Sequence, residues 1–132
     1  MRITGLYAAI AALLIVILGM RVTLRRRALG IGIGNGGDAV LARRIRAHAN
    51  AAEYLPLALL LLLILELNQT QALWLHVFGC LLIVSRILHA FGLSTSPAVT
   101  PGRAIGITLT WLIIVVMALL LIWQALGVWI LT

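Results

Sequence analysis

Residues 44–65 read RIRAHANAAEYLPLALLLLLIL, a charged and amide-bearing segment that passes directly into an apolar run. Arg43, Arg46, Asn50 and Glu53 recur every three or four positions, so a helix stacks them in one stripe with mostly alanine between them. A span needs about 20 residues to cross ~30 Å of hydrocarbon. The run from Leu55 reaches that length only if the helix begins near Val40 and carries the polar stripe into the membrane with it. Lipid penalises ionisable groups by several kcal/mol unless they are paired or solvated, which makes the stripe a functional-site candidate.

The whole composition points the same way. Of the 132 residues, 64% are hydrophobic and 10% charged, with a mean hydropathy of +1.18. A soluble domain is nearer half apolar. Four apolar segments, at roughly residues 3–24, 39–66, 71–93 and 103–130, predict an all-α membrane protein, a four-transmembrane-helix bundle forming a single domain over residues 1–132. The first segment follows Arg2, as a signal peptide might, but it is too long, lacks a small-residue cleavage site and runs into arginines; it reads as a permanent span.

All ten basic residues are arginine, and the net charge is +7. Arg21, Arg25, Arg26, Arg27, Arg43, Arg44 and Arg46 flank the connection between the first two spans. That is the positive-inside pattern, which places this connection in the cytoplasm and both termini opposite, and it accounts for the charge without nucleic acid as a partner. Five of the twelve glycines lie in this connection, from Gly30 to Gly37. A phosphate cradle is weakly signalled, since no strand precedes it and no Gly-Lys-Ser/Thr follows. The reading is a turn, with Asp38 as N-cap of the second helix.

Glu66, Asn68, Gln69 and Gln71 close the second span, making the second and third helices an antiparallel hairpin. Residues 94–102, STSPAVTPG, form the next turn, and Arg103 opens the fourth span. Trp123 and Trp129 are expected at the outer interface and Trp111 in packing. The one cysteine, Cys80, is mid-span and excludes a disulfide; it reads as a small packing residue. His48, His76 and His89 share no ligand spacing, so no metal site is expected.

This topology gathers three polar elements in one leaflet: Arg46, Asn50 and Glu53 on the second helix, Arg86 and His89 on the third, Arg103 on the fourth. Arg86 and His89, three apart, share a face. Each has an ordinary reading too. Arg86 can snorkel to head groups, His89 can serve packing, Arg103 can anchor topology, and Glu53 can pair with Arg86 or Arg46. Read together, arginines, an amide and a carboxylate match a ligand with carboxylates, an ammonium and a thiol, the set carried by glutathione. Arg103 at a helix start could stabilise the thiolate.

At these residues the sequence resembles the family of membrane-associated proteins in eicosanoid and glutathione metabolism (MAPEG), which includes microsomal glutathione transferase and leukotriene C4 synthase. The resemblance rests on Arg46-Ala-x-x-Asn50-x-x-Glu53-Tyr54-x-Pro56-Leu57, on Arg86-x-x-His89, and on Arg103 after Pro101. It implies a homotrimer with glutathione bound between subunits as co-substrate. Arg46, Asn50, Glu53, Tyr54, Arg86 and His89 would bind it, and Arg103 would be catalytic. Leu93 stands where several members carry tyrosine, and Ala49 where some carry arginine. The short, glycine-looped chain resembles the bacterial branch, implying an inner membrane with the site facing the cytoplasm. The function expected is a glutathione-dependent transferase or peroxidase acting on lipophilic electrophiles. Two alternatives stay open: a non-catalytic membrane protein binding glutathione or lipid, and a small multidrug exporter, for which Glu53 lies too near the rim.

Overall fold

In the computed structural model the described residues are 2–131, with side chains described to residue 127, so the side chain of Trp129 lies outside them. They form four helices: α1 (Arg2–Leu29), α2 (Ala39–Leu67), α3 (Ala72–Thr95) and α4 (Pro101–Leu131). All are long and apolar enough to cross a membrane. At 1.5 Å per residue they measure roughly 36 to 46 Å. The protein is an integral membrane protein built as a four-helix bundle.

Chain reversals follow from local chemistry. Gly30, at φ 68°, ends α1: its N–H donates to the Arg27 carbonyl and that of Ile31 to Arg26, the paired bonds of a Schellman cap. The same pair ends α2, where Gln69 N–H donates to Glu66 and Thr70 N–H to Leu65. Gln69 takes the left-handed conformation there, at φ 59°. Asp38 is the N-cap of α2, as expected, accepting from the Leu41 N–H. Arg25 reaches the same carboxylate from α1, Nη2 to Oδ2 at 2.8 Å, so one side chain starts α2 and ties it to α1. Thr100 begins α4 by accepting from the Arg103 N–H at 3.2 Å, with Pro101 in the first helical position.

α2 and α3 form the central pair and touch both outer helices, while α1 and α4 do not meet among the described residues. Leu55, Ala58, Leu62 and Leu65 of α2 and Leu75, Phe78 and Leu82 of α3 make the shared core with Tyr7, Ala11 and Leu18 of α1 and Ile113 and Met117 of α4. Glycines set the closest approaches. A Cβ on Gly106 would meet the His89 backbone N and the Ser85 carbonyl, and one on Gly92 would meet the Arg103 backbone, so α3 and α4 pack backbone to backbone. Gly79 makes room for the Tyr7 ring.

Opposite the arginine-rich end, Glu66 accepts from the Ile3 and Thr4 N–H groups at 3.1 and 2.9 Å, satisfying two orphan donors of α1 from another helix. Asn68 donates to Gln124, which donates to Thr70, tying the α2–α3 link to α4. Two expectations are corrected. Cys80 is exposed rather than packed, its Sγ 3.1 Å from the Tyr7 hydroxyl. Trp111 is also exposed on this chain, because its position on α4 faces away from α2 and α3. Trp123 is exposed near the end of α4.

Two measurements follow. Hydrogen bonding and charge from Arg25, with the Leu41 N–H, hold the Asp38 carboxyl below the usual carboxylate range. Its contribution is therefore present above the ordinary carboxylate pKa and lost as pH falls through the lowered folded-state value. Asp38→Asn should melt earlier than the wild type near neutral pH in detergent, and the two should converge in strong acid. Gly106→Ala forces α3 and α4 apart and should cost about 1–3 kcal/mol in the same assay.

Candidate functional site

The arginine-rich end of the bundle holds a polar layer centred on Arg86. This side chain is 1% exposed. Its Nη1 donates to Asn50 Oδ1 at 2.8 Å and its Nη2 to the Gly106 carbonyl at 3.1 Å, so one α3 guanidinium joins α2 to α4. The Tyr54 ring lies beneath it, 5.5 Å from the guanidinium carbon, within cation–π range. No carboxylate pairs with it among the described residues. Its Nε is buried without a partner. A buried cation is thus balanced by an amide oxygen, a carbonyl and a π face, an arrangement that removal of any one acceptor would leave badly uncompensated.

The layer continues into α4. The Gly106 carbonyl also accepts from Thr110 Oγ1 at 2.8 Å, and Thr110 lies 2.9 Å from Ser85 Oγ. Ser85 donates to the Leu82 carbonyl. Sequence reading did not find Gly106 or Thr110; the one signal available was two small residues four apart on an apolar helix, the spacing of close helix contacts.

His89, one turn beyond Arg86, is buried with Nδ1 2.9 Å from the Arg103 carbonyl. It therefore fixes the first turn of α4, from which the Arg103 side chain projects half-buried. The guanidinium of Arg103 makes no hydrogen bond or ion pair among the described residues.

The polar stripe of α2 is divided by the edge of the core. Asn50 is buried against Arg86, and Tyr54 is half-buried. Arg46 and Glu53, two turns apart, remain 63% and 51% exposed and pair loosely at 3.7 Å. Of the two partners considered for Glu53, the structure brings it to Arg46, while Arg86 turns inward to Asn50. Leu93, one turn after His89, is buried, and Ala49 is half-buried. The site thus has an inner layer of locked groups, Asn50, Arg86 and His89, and an outer one of open groups, Arg46, Glu53 and Arg103. An open cleft of about 370 Å³, lined by Ala104, Ile105, Thr108, Leu109 and Leu112, begins one residue after Arg103.

The chain is thus an integral membrane four-helix bundle with a cationic polar layer at one end and an apolar cleft beside it. The chain belongs to the MAPEG family, whose model matches residues 4–123. No curated protein matches it with significance.

Truncating Asn50 tests the inner layer directly. Asn50→Ala removes one of two acceptors of a buried cation and should lower stability by about 1–3 kcal/mol in thermal unfolding, whereas exposed Arg46→Ala should change it by less than about 1 kcal/mol.

Proposed function

We propose that the protein is a glutathione-dependent membrane transferase or peroxidase acting on lipophilic electrophiles. The observation that carries this reading is the unpaired Arg103 guanidinium on the first turn of α4, bordered by an open apolar cleft. Arg46 and Glu53 offer a cation and an anion to the charged ends of glutathione, and the Asn50 amide, held through Oδ1 by Arg86, keeps its NH₂ group to donate. Tyr54 lines the same face. Arg86 and His89 serve the tripeptide mainly by positioning Asn50 and the Arg103 turn.

A free thiol with a pKa near 8.5 is only a few per cent ionised at neutral pH. Lowering that value to about 6.5 takes about 2.7 kcal/mol of selective stabilisation of the thiolate, within reach of one partly desolvated guanidinium. The thiol proton leaves to solvent. The sulfur then forms a C–S bond to the electrophile as the leaving group departs with its electron pair. With a hydroperoxide it attacks oxygen instead, releasing the alcohol, and a second glutathione completes the disulfide and releases water.

A second copy of the chain covering α2 would enclose the exposed Arg46 and Glu53 and complete the pocket around them, in keeping with a homotrimer. The arginine bias supports a site facing the cytoplasm, and the resemblance of the glycine-looped chain to the family's bacterial branch points to an inner membrane.

The test is the ultraviolet thiolate absorption of glutathione bound to purified protein across pH. The wild type should show thiolate near neutral pH, and Arg103→Ala should bind glutathione but lose that absorption. Glutathione bound to the wild type only as thiol would indicate a binding protein, and no binding at all would sink the glutathione assignment.

A further inference from the structure

The glycine-rich connection between α1 and α2 takes no part in the site above, yet it shapes the mouth of a second one. At the C-terminal end of α1 an open cleft of about 430 Å³ is lined by Thr23, Arg26, Arg27, Gly30, Ile31 and Gly32. Its lining holds two guanidinium groups and no acid. The chain has three acidic residues, and each is engaged elsewhere: Asp38 with Arg25, Glu53 with Arg46, and Glu66 at the start of α1. Arg26 and Arg27 therefore have no carboxylate partner among the described residues, and Arg26 Nε is buried without a hydrogen-bond partner.

Positive charge at the end of a span is common, but this cluster is shaped. The Schellman bonds engage the Arg26 and Arg27 carbonyls, so the acceptors that most oppose an anion here are occupied. The dipole of α1 leaves about half a negative charge at this end, outweighed by two full cationic ones. Gly32 has no atom within 4 Å of where a Cβ would stand, which keeps the mouth open. Around it the chain shows apolar side chains to its surroundings: Leu24 and Leu29 are exposed, and Ile33 is 91% exposed. A cationic cleft rimmed by leucine and isoleucine at the end of a membrane span matches a ligand that is anionic at one end and apolar at the other.

We infer that this cleft seats the head group of an anionic phospholipid, with Arg26 and Arg27 on its phosphate and the exposed Leu24, on the bilayer side of them, against its glycerol and upper acyl region. It is separate from the polar layer of α2, α3 and α4, and stands whether or not the protein binds glutathione.

The full-length protein in neutral detergent would be titrated with phosphatidylglycerol, phosphatidylcholine or inorganic phosphate, with lipid retention read by native mass spectrometry and stability by thermal unfolding. Wild type should retain phosphatidylglycerol over phosphatidylcholine and melt higher with it, and inorganic phosphate should not displace it. The double variant Arg26→Gln/Arg27→Gln should bind phosphatidylglycerol about tenfold more weakly or worse. Gly32→Glu, which puts a carboxylate into the open mouth without touching either arginine, should do the same. Arg21→Gln, on α1 but outside the cleft, should bind as wild type does. Undiminished binding in both cleft variants, equal loss in Arg21→Gln, or displacement by inorganic phosphate would overturn the proposal.

Discussion

The arrangement of this bundle depends on where one positive charge goes. Arg86 sits in the interior of α3 with no carboxylate beside it, so its guanidinium needs acceptors from outside its own helix. Asn50 supplies one from α2 and the Gly106 backbone supplies the other from α4. Those two bonds fix the rotation of α2 and the height of α4 against α3, and the glycines that let α3 and α4 approach are what bring the Gly106 carbonyl within reach. Moving the charge would release both constraints together.

The same interaction explains why the polar end has two layers. The groups that hold Arg86 are committed to it, while the groups that face outward keep their donors and charges. A ligand arriving at this end meets a surface already oriented from behind: the Asn50 amide by Arg86, and the Arg103 turn by His89. Such support from locked neighbours limits the reorganisation that binding requires.

Four spans, their hairpin order and the Asp38 cap were legible in the sequence because they rest on run length, charge placement and capping chemistry, all local properties. The gathering of Arg46, Asn50, Arg86, His89 and Arg103 at one end followed from that topology. The division of labour among them did not. Helical spacing put Arg46, Asn50 and Glu53 in one stripe, but the edge of the core passes through that stripe, and its position depends on how α3 lies against α2. Backbone acceptors are invisible to any reading of side chains, which is why Gly106 and the carbonyl of Arg103 emerged only with the structure. The sequence places Glu66 at the close of a span, and nothing local signals that it accepts from amides 62 and 63 residues away.

The order of the chain gives the Arg86 bonds a meaning for biogenesis. Asn50 is synthesised before Arg86, and the α2–α3 link is too short for the two helices to enter the bilayer far apart. When α3 leaves the translocation machinery, the amide that receives its charge is already alongside. The second acceptor, on α4, comes last. Partition of α3 into lipid is thus assisted by the helix made before it and completed by the helix made after it, so a nascent chain halted at the loop of residues 96–100 would carry a guanidinium with one of its two final hydrogen-bond acceptors.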